Sequence, residues 1–268
     1  MLFAIDWKFF DDKRSDGATF FASQSLHYVQ KVDPGRCRLL GRFHNPSKFT
    51  GVCIFEADSA EDAYEWAFHW TEDMCSANLR AIVTDDEARE IASGKAVDYS
   101  AMPGLDALQW ECEPGESIFL VWWKLLEQHR TSAYETLAAM TQEQSIKDAG
   151  NCRPMGRFHD IGSGMGFCLC MAKSTKDVQT WCYNWHAVAE FTIDPVITDA
   201  AFQRIVRSKP GYAVKLENLK ARMKDQGCYV DESSFDPVLE GEHEHRVAQS
   251  KPGFHQQGPK LAQMGHAH

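Results

Sequence analysis

The chain has 268 residues, 44% hydrophobic and 12% aromatic, enough for the cores of two ordinary domains and too apolar for a disordered polymer. Its formal net charge of −10 excludes broad binding to a phosphate backbone, so no nucleic-acid partner is expected. No apolar run reaches about 18 residues, so no membrane span is expected, and the start at Met1 lacks the regions of a signal peptide. An intracellular, reducing location is therefore expected, or a targeting segment already removed.

In chain order, Phe3 to Phe9 reads as a strand with Phe3, Ile5 and Trp7 on one face. A helix is expected over Ala18 to Val32, and Pro34-Gly35 punctuates the return. Cys37 to Phe43 and Gly51 to Ala57 read as strands joined by a hairpin at Asn45-Pro46-Ser47. Ser59-x-x-Asp62 is a capping-box-like start for a second helix that carries Trp66 and Trp70 one turn apart. Arg80 to Val83 reads as the last strand, followed by Thr84-Asp85 and a short polar helix.

The same order then recurs. The strand Ile118 to Leu126 holds Trp122 and Trp123, and a helix is expected over Ser132 to Lys147. Cys152-Arg153-Pro154-Met155-Gly156-Arg157-Phe158-His159 repeats Cys37-Arg38-Leu39-Leu40-Gly41-Arg42-Phe43-His44. Gly162-Ser163-Gly164 marks the second hairpin, and it lacks the strand-to-helix setting of a phosphate loop. Ser174-x-x-Asp177 opens a helix with Trp181 and Trp185, and Thr192 to Ile197 leads to Thr198-Asp199. The division expected is a first repeat over 1–93, a linker over 94–116, a second repeat over 117–210, and a C-terminal helix and flexible arm over 211–268. Each repeat reads β-α-β-β-α-β, and a duplicated domain is expected to bury its halves against each other.

Arg42, His44, Arg157 and His159 are the polar candidates because they recur. Positions i and i+2 of a strand share a face, so each Arg–His pair could hold an anion or bond the Thr-Asp after the last strand. No acid stands at fixed spacing from either pair, so no catalytic residue is assigned. Of the nine cysteines, Cys53, Cys168, Cys170 and Cys182 fall in apolar runs and are read as buried reduced thiols, and no C-x-x-C pair occurs. His69 and His186 do not occupy equivalent positions, which disfavours a symmetric metal site, and no metal or cofactor is expected. Trp7, Trp66, Trp70, Trp122, Trp123, Trp181 and Trp185 are candidates for packing or assembly, with Phe254 and Leu261 as anchors on the arm.

Two β-α-β-β-α-β units resemble ferredoxin-like domains, an α+β class of antiparallel sheets with helices on one face. That resemblance implies a pseudo-twofold pairing of bare faces into a dimeric α+β barrel. Gly41-Arg42-Phe43-His44-Asn45-Pro46, Gly51, Glu56-Ala57, Trp70 and Val83-Thr84-Asp85-Asp86-Glu87 further resemble a short domain family of marine cyanobacteria and algae, over nearly all of Met1 to Ile91. The second copy departs from it at Asp160-Ile161 and at Met171. More distantly, tandem architecture with a trailing arm is similar to the pyrenoid shell proteins of diatoms. This resemblance implies a non-catalytic structural protein, self-assembling into a sheet, tube or shell around Rubisco in the chloroplast, with a protein partner for the arm. The alternative is a small-molecule-binding protein or an enzyme of the monooxygenase or cyclase kind. It requires a cavity lined by residues such as Trp7, Trp123, Arg42 or Arg157.

Overall fold

A computed structural model describes residues 1–25, 28–29, 33–71, 74–96 and 112–225, all within the compact unit Met1–Asp236. The arm with Phe254 and Leu261, and most of the expected linker, lie outside the described residues. The first half contains β1 (Leu2–Phe9), α1 (Arg14–Ser23), β2 (Arg38–Asn45), β3 (Thr50–Glu56), α2 (Ala60–Thr71), β4 (Cys75–Ala81), β5 (Val83–Thr84) and α3 (Asp85–Ser93). The second contains β6 (Ser117–Leu125), α4 (Arg130–Ala139), α5 (Gln142–Ala149), β7 (Arg153–Asp160), β8 (Met165–Ala172), α6 (Thr175–Asn184), β9 (Ala189–Thr198) and α7 (Asp199–Arg207). A last helix, α8, spans Tyr212–Asp225.

The fold is α+β, with all strands in one antiparallel sheet ordered β4-β1-β3-β2-β9-β6-β8-β7-β5. Only Ile82 separates β4 from β5, and its N–H donates to Leu2 O at 3.0 Å. The order therefore ends where it began, and the sheet closes on itself. Two short seams join the halves: Phe43 pairs with Thr198 across β2 and β9, and Phe158 pairs with Thr84 across β7 and β5. Each half thus lends the end of its last strand to the other.

Three apolar clusters follow from strand alternation. Ala4, Phe43, Val52 and Ile54 meet Ile118, Leu120, Phe158, Phe167, Leu169 and Met171 in a core drawn from both halves. The opposite parity of the first half, Phe3, Ile5, Trp7, Cys53 and Phe55, packs against Phe21 of α1 and Trp66 of α2. Phe119, Val121, Cys168 and Cys170 pack likewise against Val178 and Trp181 of α6. Strands apolar on both parities are thus covered on both faces.

Two helices end earlier than their apolar pattern suggests. α1 stops at Ser23, with Gln24 extended at φ −69°, ψ 143°. The expected helix over Ser132 to Lys147 is two helices: Met140 is extended at φ −67°, ψ 129°, and Thr141 with Gln144 forms a capping box that starts α5. The serines before α2 and α6 accept from the N–H groups of Asp62 and Asp177 at 3.1 and 3.2 Å. The aspartates answer through the serine hydroxyls, at 2.5 and 2.6 Å.

Gly51 and Gly166 sit where a Trp of the neighbouring strand lies flat on the backbone. A Cβ at Gly166 would stand 2.2 Å from Trp123 Cζ2 and 2.5 Å from Phe158 O. Gly166→Ala is expected to lower stability by about 1–3 kcal/mol through overpacking. Gly162→Ala, whose Cβ meets nothing nearer than 3.8 Å, is expected to leave it unchanged. Urea midpoints of the two variants check this, and equal values contradict it.

Candidate functional site

Thr84 and Thr198 are N-caps, their hydroxyls accepting from Glu87 N and Ala201 N. Each cap makes the next residue, Asp85 or Asp199, the first of a helix and aims it at the other half. Asp199 accepts from Arg42 Nε at 2.8 Å and pairs with His44 Nε2. Asp85 pairs with His159 Nε2 at 3.3 Å, with Arg157 Nε at 3.4 Å, and with Arg89 Nε at 2.8 Å. The acids missing beside the recurring Arg–His pairs are therefore supplied by the opposite repeat.

All these groups are buried except Asp199, whose side chain is 14% exposed. Burial alone would raise Asp199, but Arg42 and His44 outweigh it and bring the carboxyl down to about 2. Burial is likewise outweighed at Asp85, which Arg157, His159 and Arg89 hold well below the usual carboxylate range. Burial lowers His44 and His159, with the neighbouring carboxylate only partly opposing it. Neutral imidazoles facing ionised carboxylates must carry the proton on Nε2. His159 Nδ1 is then a bare acceptor, and it finds no hydrogen-bond partner.

The helix tips are clamped in the same crossed sense. Gln203 of α7 donates to Phe21 O and Gln24 O at 3.5 and 2.9 Å, where α1 ends. Arg89 of α3 donates to Leu137 O and Met140 O at 2.5 and 3.1 Å, where α4 ends, and to Ser145 Oγ at 3.1 Å. The early ends of α1 and α4 thus coincide with donors that satisfy their last carbonyls.

Beside each Arg–His pair, between sheet and helices, is a recess. The first-half recess is only about 20 Å3 and includes Trp7, Phe21, Arg42 and Trp70. Phe21 stacks on Trp70 with ring centroids 4.8 Å apart, Phe9 lies 5.4 Å from Phe21, and Phe202 stacks on His44 at 4.4 Å. The equivalent positions by repeat alignment are Leu125 for Phe9, Leu137 for Phe21 and, in α3 of the first half, Ala88 for Phe202. In the second-half recess the cavity is about 70 Å3, and Trp123, Tyr134, Arg157, His159, Trp181 and Trp185 are on its wall. Trp185 does not plug it: α6 ends at Asn184, and Trp185 Nε1 donates to Asp148 Oδ2 at 3.0 Å, beside Trp181 Nε1 at 2.9 Å. In the first half Asp33 accepts from Trp66 alone of that pair, at 3.2 Å.

The structure therefore brings Arg157 and His159 together with Trp123, Trp181 and Trp185, and Arg42 and His44 with Trp7. Trp66 is buried in the first-half core, and Trp122 belongs to the other sheet face, 4.8 Å from Phe167. Sequence reasoning missed Tyr134, Asp148 and Arg89. Aligning the two copies through their first helices is the signal that finds the loss of Phe9 and Phe21. Among the described residues, no group of three or more His, Cys, Asp or Glu is placed to hold a metal, and the cysteines are free. No helix among them is long and apolar enough to cross a membrane.

A family model described as Domain of unknown function (DUF3303) matches residues 1–96 and again 117–209. The chain belongs to the DUF3303 family. No curated protein matches it. Among solved structures, a "putative monooxygenase" from Lactobacillus acidophilus NCFM is similar over 74% of this chain and 93% of its own, with 8% identity and a TM-score of 0.41. These findings overturn the expectation of a self-assembling shell. The family is described only as one of unknown function, and three of the tryptophans assigned to assembly, Trp123, Trp181 and Trp185, wall a recess of this DUF3303 chain.

Asp85→Asn, which leaves two buried guanidiniums facing a neutral amide, is expected to cost about 3–5 kcal/mol. Asp199→Asn is expected to cost less, because Gln203 stands where Arg89 does. Urea unfolding ranks them, and the reverse order contradicts the assignment of Asp85 as the more heavily charged hub. Stability is also expected to fall as pH drops below about 6.5, because the unfolded chain protonates His44 and His159 before the folded one does. It should fall again below about 4, where the unfolded carboxyls take protons that Asp85 and Asp199 resist in the fold. Urea midpoints between pH 8 and 3 that stay flat across both windows would exclude this account.

Proposed function

We propose that this DUF3303 chain consists of two ferredoxin-like repeats and binds a small, largely apolar molecule in the recess of the second. The observation that carries the reading is the difference between two otherwise equivalent places. Aromatic rings fill the first, while Leu125, Leu137 and Ala88 leave the second open. The walls are mostly apolar, with a few polar groups at one end, as in small-molecule sites generally. Trp123 is half-buried where its equivalent Trp7 is buried, so the second recess reaches solvent beside it.

A second reading, an enzyme of the monooxygenase or cyclase kind, is favoured by His159. Asp85 orients its ring through Nε2, Nδ1 is bare, and burial keeps the imidazole neutral. This is the form a general base requires. The binding reading is the more basic one, since catalysis would use the same recess.

Leu137→Phe restores the aromatic residue present in the first half. It is expected to keep the fold, with a thermal midpoint close to the parent, and to weaken binding of 4-fluorotoluene by at least about tenfold through lost volume. Fluorine NMR titration measures this. Equal affinity in parent and variant would remove the recess as the site.

A further inference from the structure

The two Arg–His pairs are not equally satisfied, and the difference concerns the ligand. Arg42 donates to Asp199 through a 2.8 Å hydrogen bond, and its guanidinium lies 4.5 Å from the centre of the Phe21 ring. Arg157 lacks that hydrogen bond, although its guanidinium lies 5.8 Å from the centre of the Trp181 ring. Its Nε stands 3.4 Å from Asp85 Oδ1 and makes no hydrogen bond among the described residues, while Arg89 Nε holds the other carboxylate oxygen at 2.8 Å. One carboxylate thus faces two guanidiniums, and its second oxygen is shared at long range with His159. The neighbouring acids are engaged elsewhere. Asp148 accepts from the indoles of Trp181 and Trp185, and Asp160 accepts from the N–H and hydroxyl of Ser163 at 3.2 and 2.6 Å.

Tyr134 adds a second donor. Its ring lines the same recess, 5.8 Å from that of His159, and its hydroxyl is buried without a partner among the described residues. Burial pushes the phenol up to about 12, so the hydroxyl keeps its proton at any working pH. The equivalent position in the first half is Ala18, so this donor exists only where the recess is open. A buried guanidinium nitrogen and a buried hydroxyl left without acceptors each carry a desolvation cost that a ligand acceptor would remove.

We infer that the ligand class is a small planar aromatic carboxylate, its ring among Trp123, Trp181 and Trp185 and its anionic end toward Arg157 and the Tyr134 hydroxyl. This inference rests on the binding reading given above and narrows it. Guanidinium–carboxylate pairing is charge-assisted and favours planar anions, while the tryptophan walls favour a flat ring.

The test is fluorine NMR titration of the intact chain with 4-fluorobenzoate and 4-fluorobenzamide, two rings of the same size that differ in charge. The benzoate is expected to bind about tenfold more tightly than the amide. Arg157→Gln is expected to abolish that preference. Tyr134→Phe, which keeps the ring and so the packing, is expected to lower benzoate affinity roughly threefold. Equal affinities for the two probes in the parent chain would overturn the inference, as would a preference that survives Arg157→Gln in a folded variant. Leu137→Phe separates the two levels. If it weakens both probes while they bind equally, the recess is the site and the anion assignment is wrong. If it leaves both unchanged, the recess reading falls and the inference with it.

Discussion

The structure depends on two carboxylates that cross from one repeat to the other. Asp85 and Asp199 each begin a helix in their own half and meet an Arg–His pair on a strand of the other half, Asp85 also holding Arg89 of its own helix. Burying a charge is unfavourable unless a partner of opposite sign and hydrogen bonds accompany it. Here Asp199 and both Arg–His pairs meet their partners only when the two repeats are joined. Separated, each would expose an Arg–His pair on its sheet and an aspartate at a helix start. The seams beside them are only two residue pairs long each, too few for backbone pairing alone to hold a closed sheet. The crossed ion pairs and the core shared by both halves set the register where strand pairing is thin.

Duplication gives two equivalent recesses, and their divergence follows from packing. Filling a recess with Phe9, Phe21 and Phe202 adds contact area and removes a void, and so adds stability. Leaving Leu125, Leu137 and Ala88 in the twin forgoes that gain. A void larger in one copy than in its twin is the pattern expected where one repeat serves the fold and the other retains a use for the space. The end of the helix agrees. α2 continues through Trp70, which stacks on Phe21, whereas α6 ends at Asn184 and hands Trp185 to Asp148. One tryptophan is a plug and its equivalent is a wall.

Much of this was legible in the sequence. The recurrence of Arg-Phe-His with Thr-Asp, the strand alternation and the serine starts of the second helices all identify elements that exist. The crossing of the aspartates was not legible, for a physical reason. When both repeats carry the same residues, pairing within a repeat and pairing between repeats satisfy the same chemistry, and only the closed sheet decides. The ends of α1 and α4 were hidden similarly, because Gln203 and Arg89, which cap them, lie far away in the chain. The recess was hidden because it is a difference in volume between two helices that share little sequence. Arg42 and Arg157, with Trp7 and Trp123, were nonetheless the residues a pocket would need, and each Arg–Trp pair lines one.

A single exchange, Gln203 in one half for Arg89 in the other, links architecture to recognition. Both side chains reach the last carbonyls of the neighbouring helix, so either preserves the clamp. Only arginine also competes for the aspartate. Where glutamine stands, Asp199 is left to Arg42 and His44, and Arg42 Nε makes a full hydrogen bond while its Nη2 stays buried without a partner among the described residues. Where arginine stands, the carboxylate turns one oxygen to Arg89, and Arg157 remains beside the cavity with its demand unmet. The added cation thus does for charge what Leu137 does for volume: it leaves the second site incomplete on the protein's own side. A charged guanidinium in an apolar recess is stable only with an acceptor nearby, so the arginine that joins the helix clamp also leaves Arg157 with a demand that an anion would meet.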